Sequence, residues 1–320
     1  RYEMKIAFCS QMGFVGQISR NHKNMRVEFA QMCALGATHF PLYNLGTDQM
    51  DKDYDHIILL IPKTQKDRDR LFEMDLVELA RQHGKMIWFM QEGPNWIFQD
   101  LPIYQQFWHF NLLQKVDGIL TENVTDISYF RGLLGTEKPI WDIPSLMIED
   151  DIVPRSEWSN GVIIGGNMVR WYGGFDSYII ASSFLPEYSL HSVSMGRKQA
   201  QEDEIDDIEY LPYMEWRDWI NALSQFHVGV HLMPTIAAGT FAMNCAYHGI
   251  PVIGYEEADT QRNCHPLTSL KIGDLELARE YAEKLRDDKF YKLCSETAQK
   301  RYRDHHSEES FLKHMNGILK

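Results

Sequence analysis

Short apolar runs alternate along the chain with longer segments whose apolar residues recur at helical spacing. Residues 5–9 (KIAFC) predict a buried first strand, followed by a loop over 10–16 with two glycines. Residues 24–35 predict a helix, with Met25, Phe29, Met32 and Cys33 on one face. A second strand is expected over 39–43, and residues 54–61 (YDHIILLI) predict a third, ending at Pro62. An amphipathic helix over 68–83, closed by Gly84, leads to a strand over 85–90. Then follow a helix over 103–113, a strand over 116–120 and a helix over 124–134. Such alternation predicts a parallel sheet covered by helices on both faces.

Between 139 and 160 the pattern lapses. Pro139, Pro144 and Pro154 bracket the acidic run Glu149, Asp150 and Asp151. It restarts with a strand over 161–164, a helix over 175–184 and a strand over 188–194. Residues 198–207 (KQAQEDEIDD) read as a charged surface loop. A strand over 208–211, a helix over 216–225 and a strand over 227–232 come next, then a helix over 241–247 and a strand over 250–253. Helices over 275–286 and 289–305 follow. The expectation is an α/β chain of two Rossmann-like domains, 1–155 and 156–320, with a cleft between them and the last helix free to pack back on the first domain. Ligands are expected between the halves, at the carboxyl ends of the strands.

Composition changes this picture little. The 320 residues are 44% hydrophobic and 24% charged, as in an ordinary globular protein. No apolar run approaches the ~20 residues that span a bilayer. With no signal-peptide pattern at the start, a cytoplasmic location is expected. Five cysteines (Cys9, Cys33, Cys245, Cys264, Cys294) are scattered without a close pair, so reduced thiols are expected rather than disulfides. The formal charge of -13 weighs against strong non-specific binding to nucleic acid.

Candidate chemistry concentrates in the second half. Residues 227–254 read as strand, small-residue loop, helix and strand, with Gly239 and Thr240 opening the helix. A helix N-terminus carries unpaired N–H groups and partial positive charge, and suits a phosphate. Upstream, residues 165–176 (GGNMVRWYGGFD) form a glycine-eased turn between strand and helix. There Arg170 offers a bidentate charge to a diphosphate.

The order GGNMVRWYGGFDSYIIA, EWRDWINALSQFHVGVHLMPT, AGTFAMNCAYHGIPVIG resembles the nucleotide-sugar domain of the GT-B glycosyltransferases over about residues 161–286. The resemblance implies transfer of a sugar from a nucleotide-diphosphate sugar, as co-substrate, to a hydroxyl acceptor with no tightly bound cofactor. No metal is expected, because the DxD spacing of Asp51 and Asp53 precedes a strand and Cys264, His265, His305 and His306 lack companion ligands at useful spacing. It implies donor contacts from Gly166, Asn167, Arg170, Thr235, Gly239, Thr240, Phe241, Asn244 and Glu256. The chain departs from many retaining members, which carry an arginine and a lysine where it has Asn167 and Tyr172, and two glutamates where it has Ile236 and Asn244. Retention or inversion is therefore left open.

In the first half Glu92, just past a predicted strand, is the candidate general base, with Asp100 second. Gly13, Phe14 and Arg20, on the loop region after the first strand, are candidate acceptor contacts, as is Trp96. Among the neighbouring aromatics, Trp96 and Phe98 are expected to bind and Tyr104, Phe107, Trp108 and Phe110 to pack. The acceptor is a saccharide or a hydroxymethylated DNA base. The latter rests on a fainter similarity of RWYGGF, HGIPVIG and HPLTS to bacteriophage DNA glucosyltransferases, with Lys63, Lys66, Arg68 and Arg70 as a basic rim. A nucleotide-sugar epimerase on the same fold and a non-catalytic nucleotide-sugar-binding module are the alternatives.

Overall fold

The structure is a computed structural model that describes residues 3–62, 70–155, 157, 159–193 and 198–320. The chain divides into two compact units. The first holds Arg1–His22, Glu28–Pro144 and Leu312–Lys320; the second holds Lys23–Val27 and Ser145–Phe311. The main changeover thus falls at 144/145 rather than at 155/156, and the end of the chain belongs to the first unit.

The first unit runs β1 (Ile6–Ser10), α1 (Val27–Leu35), β2 (Thr38–Pro41), β3 (Tyr54–Ile61), α2 (Leu76–Ala80), β4 (Gly84–Gln91), α3 (Ile103–Lys115), β5 (Gly118–Thr121), α4 (Thr125–Leu134) and β6 (Ile140–Asp142). Its six strands form one parallel sheet in the order β2-β1-β3-β4-β5-β6. Ile57, Ile58, Leu59, Ile87, Phe89 and Met90 are fully buried, because a sheet covered on both faces leaves no wet side for alternation. Strand β6 escaped the sequence pattern: three residues carry no period, and its Trp141 is half exposed. It is held by the chain's end, where His314 Nε2 donates to the Asp142 carbonyl at 3.0 Å.

The helix expected over 68–83 is much shorter. Residues 68 and 69 lie outside the described residues, Leu71–Glu73 is a single 3-10 turn, and Met74 is extended. Asp75 accepts from the Glu78 N–H at 3.3 Å and caps α2, which starts the helix at Leu76. The amphipathic spacing was real, but the Met74 carbonyl is drawn out of the helix to take the Trp108 indole N–H.

The second unit runs β7 (Gly161–Ile164), α5 (Gly174–Ala181), β8 (Ser189–Ser192), β9 (Ile208–Tyr210), α6 (Trp216–Leu223), β10 (Val228–His231), α7 (Thr240–Tyr247), β11 (Val252–Tyr255), α8 (Asp259–Cys264), β12 (Ser269–Leu270), α9 (Leu275–Lys284) and α10 (Asp288–His305). A last helix, α11 (Glu308–Ile318), carries the chain into the tail of the first unit. The sheet is again parallel, in the order β12-β11-β10-β7-β8-β9. One face buries Ile164, Ile180 and Phe184, the other Ile163, Phe226 and Tyr302. All five cysteines are free.

The segment read as a charged surface loop is not wholly surface. Ala200–Glu204 forms a 3-10 helix, and Glu202 within it is only 2% exposed. A run of charges tells nothing of which one points inward.

Candidate functional site

In the second unit the strand order turns round between β7 and β10. The loops leaving their carboxyl ends diverge there, which in parallel α/β sheets opens the ligand crevice. The loop after β7 feeds α5 and the loop after β10 feeds α7. Each helix starts behind a left-handed glycine, Gly173 (φ 64°) and Gly239 (φ 65°). A Cβ on Gly173 would sit 1.8 Å from the Leu232 carbonyl oxygen, so only glycine lets the two loops touch. Neither helix has a side-chain cap on its first turn. Two helix N-termini, each with N–H groups and partial positive charge, therefore stand at the carboxyl edge of the sheet, after the adjacent strands β7 and β10.

Arg170 stands on the turn before α5, exposed, and its guanidinium makes no hydrogen bond or ion pair among the described residues. Asn167 does not face outward: its amide donates to Val193 O (3.1 Å) and Glu202 Oε1 (3.4 Å). Its backbone carbonyl takes the Gly174 N–H at 3.1 Å, which closes the turn.

A cavity of about 360 Å³ opens beside α7. Gly165, Val193 and residues 211–214 line it from the ends of β7, β8 and β9, Trp219 from α6, and Thr240, Phe241 and Asn244 from α7. Its walls are largely apolar. Among its polar members Asn244 is 4% exposed, and its Oδ1 has no hydrogen-bond partner among the described residues. A buried acceptor left unmade costs ~1–3 kcal/mol, and a ligand hydroxyl or N–H would recover it. Tyr213 stands 81% exposed at the rim.

A second, smaller cavity of about 40 Å³ touches His231, Thr235, Ile236, Gly239 and Thr260. Burial pushes the His231 imidazole down to about 4, so it is neutral at pH 7. It ends β10, 5.1 Å from the Phe241 ring. Glu256, just after β11, is half-buried and gives its carbonyl to Arg262 (3.1 Å). All nine expected donor residues thus lie at the carboxyl edge of one sheet. Sequence reading missed His231 and the 211–214 wall. Both stand at the carboxyl ends of predicted strands of the same sheet, which was the available signal.

In the first unit the order reverses between β1 and β3. The loop after β1 carries Gly13, exposed, and Phe14, which stacks on His39 at 4.1 Å and meets Phe29 edge-on at 5.8 Å. His39 also bonds Ser10 Oγ (2.7 Å) and Phe14 O (2.8 Å), and it pairs with Gly16 through both backbone groups. The loop over 10–16 is tied down, with Phe14 packed on His39 and Phe29. Arg20 is exposed.

Glu92 follows β4 directly and is half-buried; its carbonyl accepts from Gln91 Nε2 at 3.3 Å. Trp96 is half-buried in the turn beyond, and Asp100 is exposed at the end of a 3-10 turn. The aromatics divide differently from the expectation. Phe98 is buried and stacks on His109 at 3.3 Å, whereas Tyr104 and Phe107 are 62% and 59% exposed. A polar group after β5 went unnoticed: Glu122, Asn123 and Asp126 are buried, and Asp126 accepts from Asn95 at 2.8 Å.

Of the proposed basic rim, Lys63, Lys66 and Arg68 lie outside the described residues, and Arg70 stacks over Tyr43 at 5.0 Å. Among the described residues no group of three or more His, Cys, Asp or Glu is placed to hold a metal ion. None of the described helices is long and apolar enough to cross a membrane.

Two parallel sheets, each turning round at its own switch point, make up the architecture of the GT-B glycosyltransferases. The chain is similar to HepE of Anabaena in complex with UDP and glucose, with TM-score 0.70, 12% identity and 99% of each chain covered. It is similar to sucrose-phosphate synthase of Thermosynechococcus elongatus, with TM-score 0.68, 13% identity and 98% of each chain covered. A third similarity is to the pneumococcal O-GlcNAc transferase GtfA in complex with UDP and GlcNAc, with TM-score 0.64 and 13% identity; it covers 85% of this chain and 57% of that one. The chain spans little more than half the length of GtfA. No protein-family model and no curated sequence matches it. At these identities the likeness establishes the fold.

Proposed function

We propose that the chain is a glycosyltransferase that moves a sugar from a nucleoside diphosphate sugar to a hydroxyl of a saccharide. The observation that carries this reading is that two helix N-termini without side-chain caps and the exposed Arg170 follow the adjacent strands β7 and β10, on the sheet whose carboxyl end holds the Asn244 cavity. The diphosphate sits against α5, α7 and Arg170, where three sources of positive potential oppose the charge that develops as the glycosidic bond breaks. The nucleoside enters the 360 Å³ cavity and satisfies Asn244.

Glu92 acts as the base. The acceptor oxygen bonds to the anomeric carbon, the bond from that carbon to the diphosphate oxygen breaks, and the acceptor proton passes to the Glu92 carboxylate. Asp100, more exposed, is the second choice for this role. The formal charge of -13 supports a saccharide over a DNA acceptor.

UDP is the first nucleotide to try, since the HepE and GtfA structures hold it. Titration with UDP, GDP, ADP and dTDP should find one that binds in the micromolar range. Incubation of the matching sugar donors with a glycan panel should then release nucleotide and add one sugar mass to an acceptor. Glu92→Gln should abolish transfer with donor binding kept. No binding across the panel would sink the donor-site reading, and normal turnover in Glu92→Gln would remove Glu92 from the mechanism.

A further inference from the structure

The loops after β7, β8 and β9 line the donor cavity, and all three are tied to one carboxylate that faces none of it. Glu202 is 2% exposed. Its Oε1 accepts from the Met168 backbone N–H (3.0 Å), the Asn167 amide (3.4 Å) and the Tyr210 hydroxyl (2.9 Å). Its Oε2 accepts from the Gln199 backbone N–H (2.5 Å). Gln199 in turn donates its side-chain amide to the Met168 carbonyl at 2.6 Å, so both polar backbone groups of Met168 are fixed, two residues before Arg170. Asn167 extends the connection to Val193, a wall residue of the cavity, and Tyr210 directly precedes Leu211, another.

A buried charge persists only when its lone pairs are used, and here four donors from three segments use them. What the ion does is hold three strand-end loops in one register. We propose that Glu202 is the positioning residue of the donor site, setting the Arg170 turn and the 211–214 wall relative to each other. This rests on the donor-site reading given above.

The clamp predicts an effect opposite in sign to simple electrostatics. Glu202 is a negative charge in a unit proposed to bind a diphosphate, so removing it should on charge alone tighten nucleotide binding. If it is a clamp, removing it loosens the turn and weakens binding. Glu202→Leu, Glu202→Gln and Tyr210→Phe would be titrated calorimetrically with the nucleoside diphosphate that the wild type binds, at a temperature where circular dichroism shows each variant fully folded. Hydrogen exchange at the Met168 amide would be followed in parallel without ligand.

Expected are a rise in Kd of about tenfold or more for Glu202→Leu and about threefold for Tyr210→Phe, from loss of charge-assisted and single hydrogen bonds. Glu202→Gln keeps the acceptor toward Met168 and should come back to within a few fold of wild type. Exchange at Met168 should speed up in Glu202→Leu and much less in Glu202→Gln. A lowered melting temperature with unchanged Kd in all three variants would overturn the positioning role, as would tighter binding in Glu202→Leu. If Glu202→Leu does not fold, Tyr210→Phe and Glu202→Gln decide, and wild-type Kd with wild-type Met168 exchange in both overturns the clamp. A wild type that binds none of the nucleotides overturns the donor-site reading, and with it the role of Glu202.

Discussion

Gly239→Ala tests whether the start of α7 is built as tightly as its geometry indicates. The backbone there has φ 65°, and a Cβ in that left-handed conformation costs ~1–2 kcal/mol. The new Cβ would also lie 2.3 Å from Thr260 Oγ1, whose hydroxyl now donates to the Gly239 carbonyl at 2.6 Å. That hydroxyl must swing away and give up a hydrogen bond worth ~1 kcal/mol. The single variant should therefore lose ~2–3 kcal/mol of stability. Thr260→Ala alone removes the hydrogen bond and should cost ~1 kcal/mol.

In the double variant the obstruction is gone and the bond was already lost, so the two effects should not add. Urea unfolding of the four proteins should show a coupling of ~1 kcal/mol in the double-mutant cycle. Additivity within ~0.3–0.5 kcal/mol would refute the account of why glycine stands there, and so would a Gly239→Ala protein as stable as wild type. Nucleotide affinity should fall in Gly239→Ala and recover in part in the double variant, since the first turn of α7 regains its place.

Arg170→Ala should weaken nucleoside diphosphate binding by about ten- to a hundredfold with little change in stability, and Arg170→Lys should restore only part of it; calorimetry reads both. Asn244→Leu should raise the melting temperature by ~2–4 °C, because an unpaired buried acceptor disappears, while nucleotide binding weakens. His248 and His265 are each pushed by burial down to about 4. Each is also locked neutral, with Nε2 donating to a carbonyl (Ile220, Ala242) and Nδ1 accepting a backbone N–H (Arg155, Val252). The unfolded chain takes up these protons first, near pH 6.5, so their contribution is complete above that pH and is lost as pH falls toward 4. Urea midpoints measured from pH 7.5 to 4.5 should drop accordingly, and a His248→Gln, His265→Gln double variant should show a shallower drop. An equal slope in wild type and double variant would exclude these two groups.

The parallel sheets were legible because buried strands are nearly continuous apolar runs, and β3, β4 and β7 announced themselves that way, while β10 showed as an alternating HVGVHL. The glycine turn of 165–176 and the small-residue start of α7 were legible for a related reason: close approach leaves a chemical trace in the sequence, as Gly173 against Leu232 shows. Elements without a period were not: β6 and β12 are too short to have one. The site was harder to read than the fold because a residue's type does not say which way it points. Asn167 was expected to meet a ligand and turns inward, Phe14 packs on His39, and Glu202 lies at the centre of a supposed surface loop. The wall at 211–214 has no motif at all. It matters only because β9 ends there, and that follows from the sheet order.

The chain's last segment, Leu312–Lys320, belongs with the first unit, while Ser145–Phe311 forms most of the second. The second unit is in effect an insertion within the first. A ribosome delivering this protein cannot finish the first unit until the second has already emerged. The growing chain must hold an incomplete sheet edge at β6 and Asp142 until His314 arrives to close it. A fragment ending at Pro144 would lack the same partner for good. Removing the final residues, though they are far in sequence from the donor crevice, should therefore act as a lesion of the first unit's assembly rather than as a trimmed end.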